Sequence, residues 1–264
     1  MVALEAGDLD NDGVLDLVGV TDGQRVHALV GDGAGGFTAA TGSPFSSGGG
    51  VNGQDLALGD FNGDGDLDAV RAATDLTLLL GDGSGSLVAP GTSFPSGPAL
   101  PPNEIYLGLA AARMDADADL DLVAMDGGNY GARVFPGDGA GAFAVGDYGS
   151  ARPGNEAEDI AVGDVNGDGK LDVLTANSST RNVSVLVGDG AGNLADASAA
   201  AVFPTGADGR ARAVDVGDLN GDGRLDVVTA NGSPADSVSV LLGNAAGQFA
   251  TATAIPREER PRPT

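Results

Sequence analysis

Five stretches of the chain set oxygen-bearing side chains at alternate positions of a nine-residue segment. Four read Asp8-Leu-Asp10-Asn-Asp12-Gly13-Val14-Leu-Asp16, Asp60-Phe-Asn62-Gly-Asp64-Gly65-Asp66-Leu-Asp68, Asp164-Val-Asn166-Gly-Asp168-Gly169-Lys170-Leu-Asp172 and Asp218-Leu-Asn220-Gly-Asp222-Gly223-Arg224-Leu-Asp226. Alternate residues of a tight loop can turn carboxylate and amide oxygens toward one point, and such a donor set suits a hard cation, Ca²⁺ above all. Positions 1, 3, 5 and 9 supply the side chains. Position 7 supplies a backbone carbonyl, so Val14, Asp66, Lys170 and Arg224 are ligands whose side chains are free to vary. Glycine at position 6 suits a turn with positive φ, where a Cβ costs about 1–2 kcal/mol.

The remaining copy, Arg113-Met-Asp115-Ala-Asp117-Ala118-Asp119-Leu-Asp121, is degenerate. Ala118 is expected to strain the turn and Arg113 puts a cation where a carboxylate belongs, so no metal is expected there and about four Ca²⁺ ions in all. Ordinary Asp/Asn/Gly turn chemistry explains any one copy. It does not demand acid at positions 1, 5 and 9 four times over. An EF-hand would need a bidentate Glu at position 12, where the chain has Gly19, Arg71, Thr175 and Thr229. RTX nonapeptides would run in tandem without long spacers.

The first positions (8, 60, 113, 164, 218) are 51 to 54 residues apart, a period that signals stacked supersecondary units. Residues 159–194 match 215–249 almost position by position. Apolar residues alternate in Ile160/Val162, Leu171/Val173 and Val183/Val185/Val187, the period of short strands. A second element closes each repeat: Gly31-Asp-Gly-Ala-Gly-Gly-Phe37 and its counterparts ending at Leu87, Phe143, Leu194 and Phe249. It reads as a hairpin turn, with Asp-Gly supplying the positions that need positive φ. An aromatic then follows near a turn (Phe45, Phe94, Tyr148, Phe203), with Ile255 in its place at the end. Each repeat is therefore strand, metal loop, strand, polar loop, strand, glycine-rich turn, strand. That is an all-β chain, a β-propeller of about five four-stranded antiparallel blades over residues 1–255, or part of a larger one of seven. Residues 256–264 form a Pro/Arg-rich tail expected to be disordered.

The motifs VGDxNGDGxLDV, TANxS, VSVLxG and GxGxF resemble those of the FG-GAP/VCBS repeat family, strongest in the last two repeats and weaker around 100–135. The resemblance implies a calcium-stabilised, secreted propeller used for adhesion or recognition, frequently beside an enzymatic or anchoring module.

Composition narrows the partners. Thirteen Lys and Arg against 38 Asp and Glu give a net charge of −25, which argues against nucleic acid or an anionic membrane surface. No run of 18 apolar residues occurs, so no membrane-inserted helix is expected. Absence of cysteine removes thiol chemistry, and a single histidine, His27, leaves catalytic triads and His-ligated zinc unsupported. No leader precedes the first loop, yet calcium sites of this kind suit an extracellular setting. With nearly every close carboxylate pair inside a metal loop, no enzyme is expected. Recognition of a glycan or extracellular protein is expected at the end opposite the metal loops, where Arg25, Arg71, Arg133, Arg152, Arg181, Arg210 and Arg212 fall, with Tyr130, Arg181 and Arg210 as the candidate ligand-binding residues. The other readings are a non-catalytic portion of a secreted polysaccharide-degrading enzyme and a structural spacer.

Overall fold

A computed structural model describes residues 3–21, 25–46, 54–88, 93–94, 106–126, 131–144, 157–195, 202–206, 210–234, 236–244 and 247–256. They form antiparallel sheets in sequence order, and no helix occurs among them. Blade 1 contains β1 (Ala3–Gly7), β2 (Asp16–Thr21), β3 (Arg25–Gly31), β4 (Phe37–Ala39) and β5 (Phe45–Ser46). Blade 2 contains β6 (Asp55–Gly59), β7 (Asp68–Ala72), β8 (Leu76–Gly81), β9 (Leu87–Val88) and β10 (Ser93–Phe94). Blade 3 has β11 (Tyr106–Ala112), β12 (Asp121–Asp126) and β13 (Gly131–Phe135). Blade 4 has β14 (Ala157–Gly163), β15 (Asp172–Asn177), β16 (Asn182–Leu186) and β17 (Val202–Pro204). Blade 5 has β18 (Arg210–Gly217), β19 (Asp226–Gly232), β20 (Ser237–Leu241) and β21 (Thr253–Pro256).

The outer strand differs from its expected form. In blades 1 and 2 it is two short pieces, both paired to the third strand. In blades 4 and 5 an isolated bridge, Gly188 to Leu194 or Gly243 to Phe249, precedes the outer strand. The break follows from the sequence between the pieces. In blade 1, Ala40 donates to the Ala28 carbonyl and Ser43 back to the Ala40 carbonyl, so the chain turns before Phe45 rejoins β3.

The chain divides into two compact units, residues 1–148 with 190–193, and residues 149–189 with 194–264. Within the first, blades 1 and 2 close on Val18, Val20, Val26, Phe45, Leu56 and Leu79, and blades 2 and 3 on Phe61, Val70, Leu78, Tyr106, Leu122 and Phe135. Within the second, blades 4 and 5 close on Leu174, Val183, Val185, Phe203, Val214, Val227 and Leu241. Burying each such aliphatic side chain stabilises by about 1.5–3 kcal/mol, so these faces hold the sheets together. Aspartates stitch them as well: Leu109 N–H donates to Asp55 at 2.7 Å and Val214 N–H to Asp159 at 2.9 Å. Burial pushes the Asp159 carboxyl up, and the Val214 N–H opposes that shift.

Polar side chains also enter these faces. The TANxS motif is a buried network: Thr175 Oγ1 donates to Asn177 Oδ1, and Asn177 Nδ2 to the Asn182 and Ser184 side chains. Thr229, Asn231 and Ser239 repeat it in blade 5. In blade 2 the place of Thr175 is taken by Arg71, paired across the sheet with Thr77 as Thr175 is with Ser184. Arg71 and Arg133, expected on exposed loops, are instead buried on β7 and β13. Both sit inside strands, and Arg71 is buried to its guanidinium. Arg71 reaches Asp75 at 3.3 Å, and the Arg133 guanidinium lies 5.9 Å from the Phe135 ring centre.

Candidate metal centre

The metal loop of every blade joins its first two strands, and one carboxylate anchors it in all five. The position-9 aspartate begins the second strand and is buried. One of its oxygens accepts the N–H of position 2; the other accepts the N–H of the first glycine in the glycine-rich turn. The pairs are Leu9 and Gly31 on Asp16 (2.8 and 2.8 Å), and Phe61 and Gly81 on Asp68 (3.0 and 2.8 Å). Met114 and Gly137 bind Asp121 (2.7 and 2.9 Å), and Val165 and Gly188 bind Asp172 (3.2 and 3.0 Å). Leu219 and Gly243 bind Asp226 (3.0 and 2.8 Å). This latch ties the loop to the far hairpin of its own blade. It persists in the degenerate copy, so it is a structural device in addition to any metal role.

Two further turns shape the loop. The position-1 carboxylate caps backbone donors: Asp164 accepts from Gly167 at 2.7 Å, Asp168 at 3.1 Å and Gly169 at 2.8 Å, and Asp218 does the same for Gly221, Asp222 and Gly223. Asp8 accepts from Asp12 and Gly13, and Asp60 from Gly63 and Gly65. Position 3 then accepts from the N–H of position 5, as Asn166 does from Asp168 at 2.8 Å, and position 5 from the N–H of position 7, as Asp168 does from Lys170 at 3.0 Å. Gly13, Gly65, Gly169 and Gly223 have φ of 81–92°, as position 6 requires. Position 4 is left-handed too, at Asn11 with φ 61° and at Gly63, Gly167 and Gly221. Its requirement is visible in the repeated Asn-Gly-Asp-Gly and was missed by counting oxygen ligands alone.

The degenerate loop departs from expectation in two ways. Ala118 is not left-handed, so the turn relaxes instead of straining. The Arg113 side chain reaches across the loop, its Nε donating to the Ala118 carbonyl at 2.7 Å. Meanwhile Asp115, Asp117 and Asp121 bring carboxylate oxygens within 4.8 Å of one another, as Asp8, Asp10 and Asp16 do in the first loop. Among the described residues these are the two places where three carboxylates meet. In the other loops position 3 is asparagine. Asn62 and Asn220 donate to Asp64 and Asp222 at 2.8 and 3.2 Å, and Asn166 donates to Asp172 at 3.4 Å. Asp12, the position-5 residue of the first loop, is outside the group formed by Asp8, Asp10 and Asp16. The position-7 side chains are not all idle: Asp66 accepts from Asn11 at 2.7 Å, and Arg224 pairs with Asp222 at 3.4 Å.

Like charges so close are costly without a counterion. Burial first, and then the charges of Asp64 and Asp60, push the Asp68 carboxyl up to about 6 against the Gly81 and Phe61 N–H groups. Asp172 is pushed up to about 6 for the same reasons, and Asp121 is raised by burial. Asp218 is lowered, chiefly by the Gly223 N–H. All-oxygen donors on a short, backbone-capped loop fit a hard divalent cation, which would neutralise these acids when bound.

A cleft of about 250 Å³ lies at the metal-loop end of the second unit, lined by Asp164, Asn166, Arg224, Leu225 and Asn244. Of the candidate recognition residues, Arg181 is exposed at the turn between β15 and β16 with φ 57°, its carbonyl accepting from Thr205. Arg210 is exposed at the first residue of β18. Tyr130 and residues 257–264 lie outside the described residues.

The fold recurs in known structures. A lectin from Burkholderia pseudomallei, BP39L, is 17% identical with a TM-score of 0.63 over 96% of this chain and 70% of its own. The V. cholerae biofilm matrix protein Bap1 is 16% identical with a TM-score of 0.53, covering 96% of this chain and 39% of its own. A provisionally assigned 6-phosphogluconolactonase from Bacteroides fragilis is 18% identical, with a TM-score of 0.59 over 96% of this chain and 69% of its own. The chain spans well under two thirds of the matrix protein. No curated protein sequence matches it. The family model for the FG-GAP-like repeat matches residues 8–71, 113–175 and 164–229, each match running from one aspartate loop through the next. With antiparallel blades and their aspartate loops in place, the chain belongs to the FG-GAP-like repeat family and has a β-propeller fold.

Proposed function

We propose that this protein is a calcium-stabilised extracellular binding propeller, non-enzymatic, which recognises a glycan or an extracellular protein. The observation that carries the reading is the loop architecture. Each blade commits a short loop of oxygen donors to its own interior through the position-9 latch, so that a bound cation would stiffen the joint between its first two strands. A rigid set of blades then leaves the connecting loops to vary for recognition. Likeness of fold to a lectin and a matrix protein is compatible with this role.

Recognition is placed at the loops opposite the metal end, where Arg181 and Arg210 are exposed. The cleft beside Asp164 and Arg224 favours a second placement, at the metal end. A glycan and matrix-protein array with calcium and with chelator tests both. Binding that is lost in Arg181→Ala/Arg210→Ala, with an unchanged melting temperature, supports the first placement. Loss in Arg224→Ala/Asn244→Ala supports the second, and polysaccharide cleavage by the wild type would refute the non-enzymatic reading.

A further inference from the structure

Neighbouring blades within a unit meet at their metal loops as well as in their cores. Between blades 1 and 2, Asn11 at position 4 donates from Nδ2 to the position-7 carboxylate of Asp66 at 2.7 Å, and Gly85 N–H donates to the Leu9 carbonyl at 3.1 Å. The glycine-rich turn lies directly on the position-7 acid. A Cβ at Gly83 would sit 2.5 Å from Asp66 Oδ1, and Gly139 meets Asp119 in the same way between blades 2 and 3. There the backbone stitch recurs, with Gly141 N–H donating to the Phe61 carbonyl at 2.9 Å.

Between blades 4 and 5, both in the second unit, these parts are changed. Position 4 is Gly167, position 7 is Arg224, and the sequence has Ala245 in the place where Gly83 and Gly139 leave no room for a Cβ. Gly247 N–H, the counterpart of Gly85 and Gly141, donates to the Asn244 carbonyl inside its own turn at 3.2 Å. The cleft of about 250 Å³ lies at this joint, with Gly167, Arg224 and Asn244 in its lining. Its charge is changed as well. The other two joints place Asp66 with Asp82 and Asp119 with Asp138, whereas this one places Arg224 with Asn244. Asn244 keeps the turn, its Oδ1 accepting the Gln248 N–H as Asp138 accepts the Ala142 N–H, but carries no negative charge. Arg224 is half exposed and engages Asp222 through Nη1 at 3.4 Å, so its Nε and Nη2 have no partner among the described residues.

We infer that this cleft binds a hexuronic acid ring, the unit of an acidic polysaccharide, with the sugar carboxylate on Arg224. Nε and Nη2 form the side-on fork of a guanidinium, which grips a carboxylate through two parallel hydrogen bonds. In a chain of net charge −25, exchanging two acids for a cation and an amide makes this joint the one of the three where an anionic group meets least repulsion. Asp164, Asn166 and Asn244 offer oxygens and amides suited to ring hydroxyls. The volume is just below the ~300–1,000 Å³ of sites for drug-sized molecules, so one ring fills it while a longer chain continues outside. The inference rests on the recognition reading above, in its placement at the metal-loop end.

Titrating isotope-labelled protein in millimolar calcium with methyl β-D-glucuronide, and with methyl β-D-glucoside as its neutral counterpart, tests this by NMR. The glucuronide should shift the amide signals of Gly167, Gly223 and Arg224 with a Kd of about 1–10 mM, the affinity of so small a ligand. The glucoside should bind at least about 10-fold more weakly, lacking the charge-assisted pair. Arg224→Asp gives the loop the acid that Asp66 and Asp119 already carry at that position, so circular dichroism should match wild type while glucuronide affinity falls at least about 10-fold. Arg224→Lys should fall in between, because an ammonium has no fork. Equal binding of the two sugars, wild-type affinity in Arg224→Asp, or no shift at these amides would overturn the inference. Glucuronide binding that is lost in Arg181→Ala/Arg210→Ala and kept in Arg224→Asp would also overturn it, yet would leave the recognition reading standing. That reading itself falls only with an array that returns no ligand.

Discussion

Removing the position-9 latch separates its structural part from any metal part. In Asp172→Ala two charge-assisted acceptors vanish, and the N–H groups of Val165 and Gly188 are left in a buried setting. Hydrogen bonds to charged groups are worth about 1.5–3 kcal/mol each, so the loss should be about 3–6 kcal/mol even in chelator. For a chain of this size that is roughly a 10 °C fall in melting temperature. Asp164→Ala removes three acceptor contacts, but those donors sit on an exposed loop that water can serve. Its cost in chelator should be about 0.5–1 kcal/mol. Urea melts in chelator and in ~2 mM calcium measure both, and with sites of Kd near ~0.1 mM the cation adds about 2 kcal/mol per site to the wild type. In calcium, therefore, Asp164→Ala should become markedly more damaging. Asp121→Ala is the control, since its latch is intact in the degenerate loop. Equal costs for Asp164→Ala and Asp172→Ala in chelator, or a harmless Asp121→Ala, would refute the latch.

Three other predictions follow from the loops. Gly188→Ala should cost at least 2 kcal/mol by chemical denaturation, because a Cβ there would sit 1.9 Å from the Leu171 carbonyl oxygen. Lys170→Ala should change calorimetric calcium affinity less than twofold, since only the Lys170 carbonyl is expected to face the ion, whereas Arg113→Asp/Ala118→Gly should add one ion to the stoichiometry. In chelator the protein should lose stability as pH rises from 4 to 7: Asp68 and Asp172 titrate near 6 when folded against about 3.8 when unfolded, so the native state holds more protons in that window. Calcium should flatten or reverse that slope by neutralising the same carboxylates, and an identical pH profile with and without the ion would rule out metal binding beside Asp68 and Asp172.

The repeat, the strand order and the aspartate loops were legible in the sequence because each is local. Alternation specifies which residues face inward, and the nine-residue spacing of Asp8 to Asp16 or Asp164 to Asp172 fixes which oxygens can meet in one loop. The need for glycine at position 6 was equally local, since it follows from a single φ. What the chain alone could not assign was the second partner of Asp172. Its tie to Gly188 spans 16 residues and depends on how two hairpins of one blade meet. Arg71 and Arg133 likewise read as loop cations from their charge, and only the register of β7 and β13 buries them. Ala118 stays out of the left-handed region, and the long Arg113 side chain reaches its carbonyl, a contact that no turn rule contains. Leu15 and Leu67 are the same residue in the same motif. Leu15 is exposed, whereas Leu67 packs at Gly7 of the blade before it, a contact that only the tertiary structure supplies.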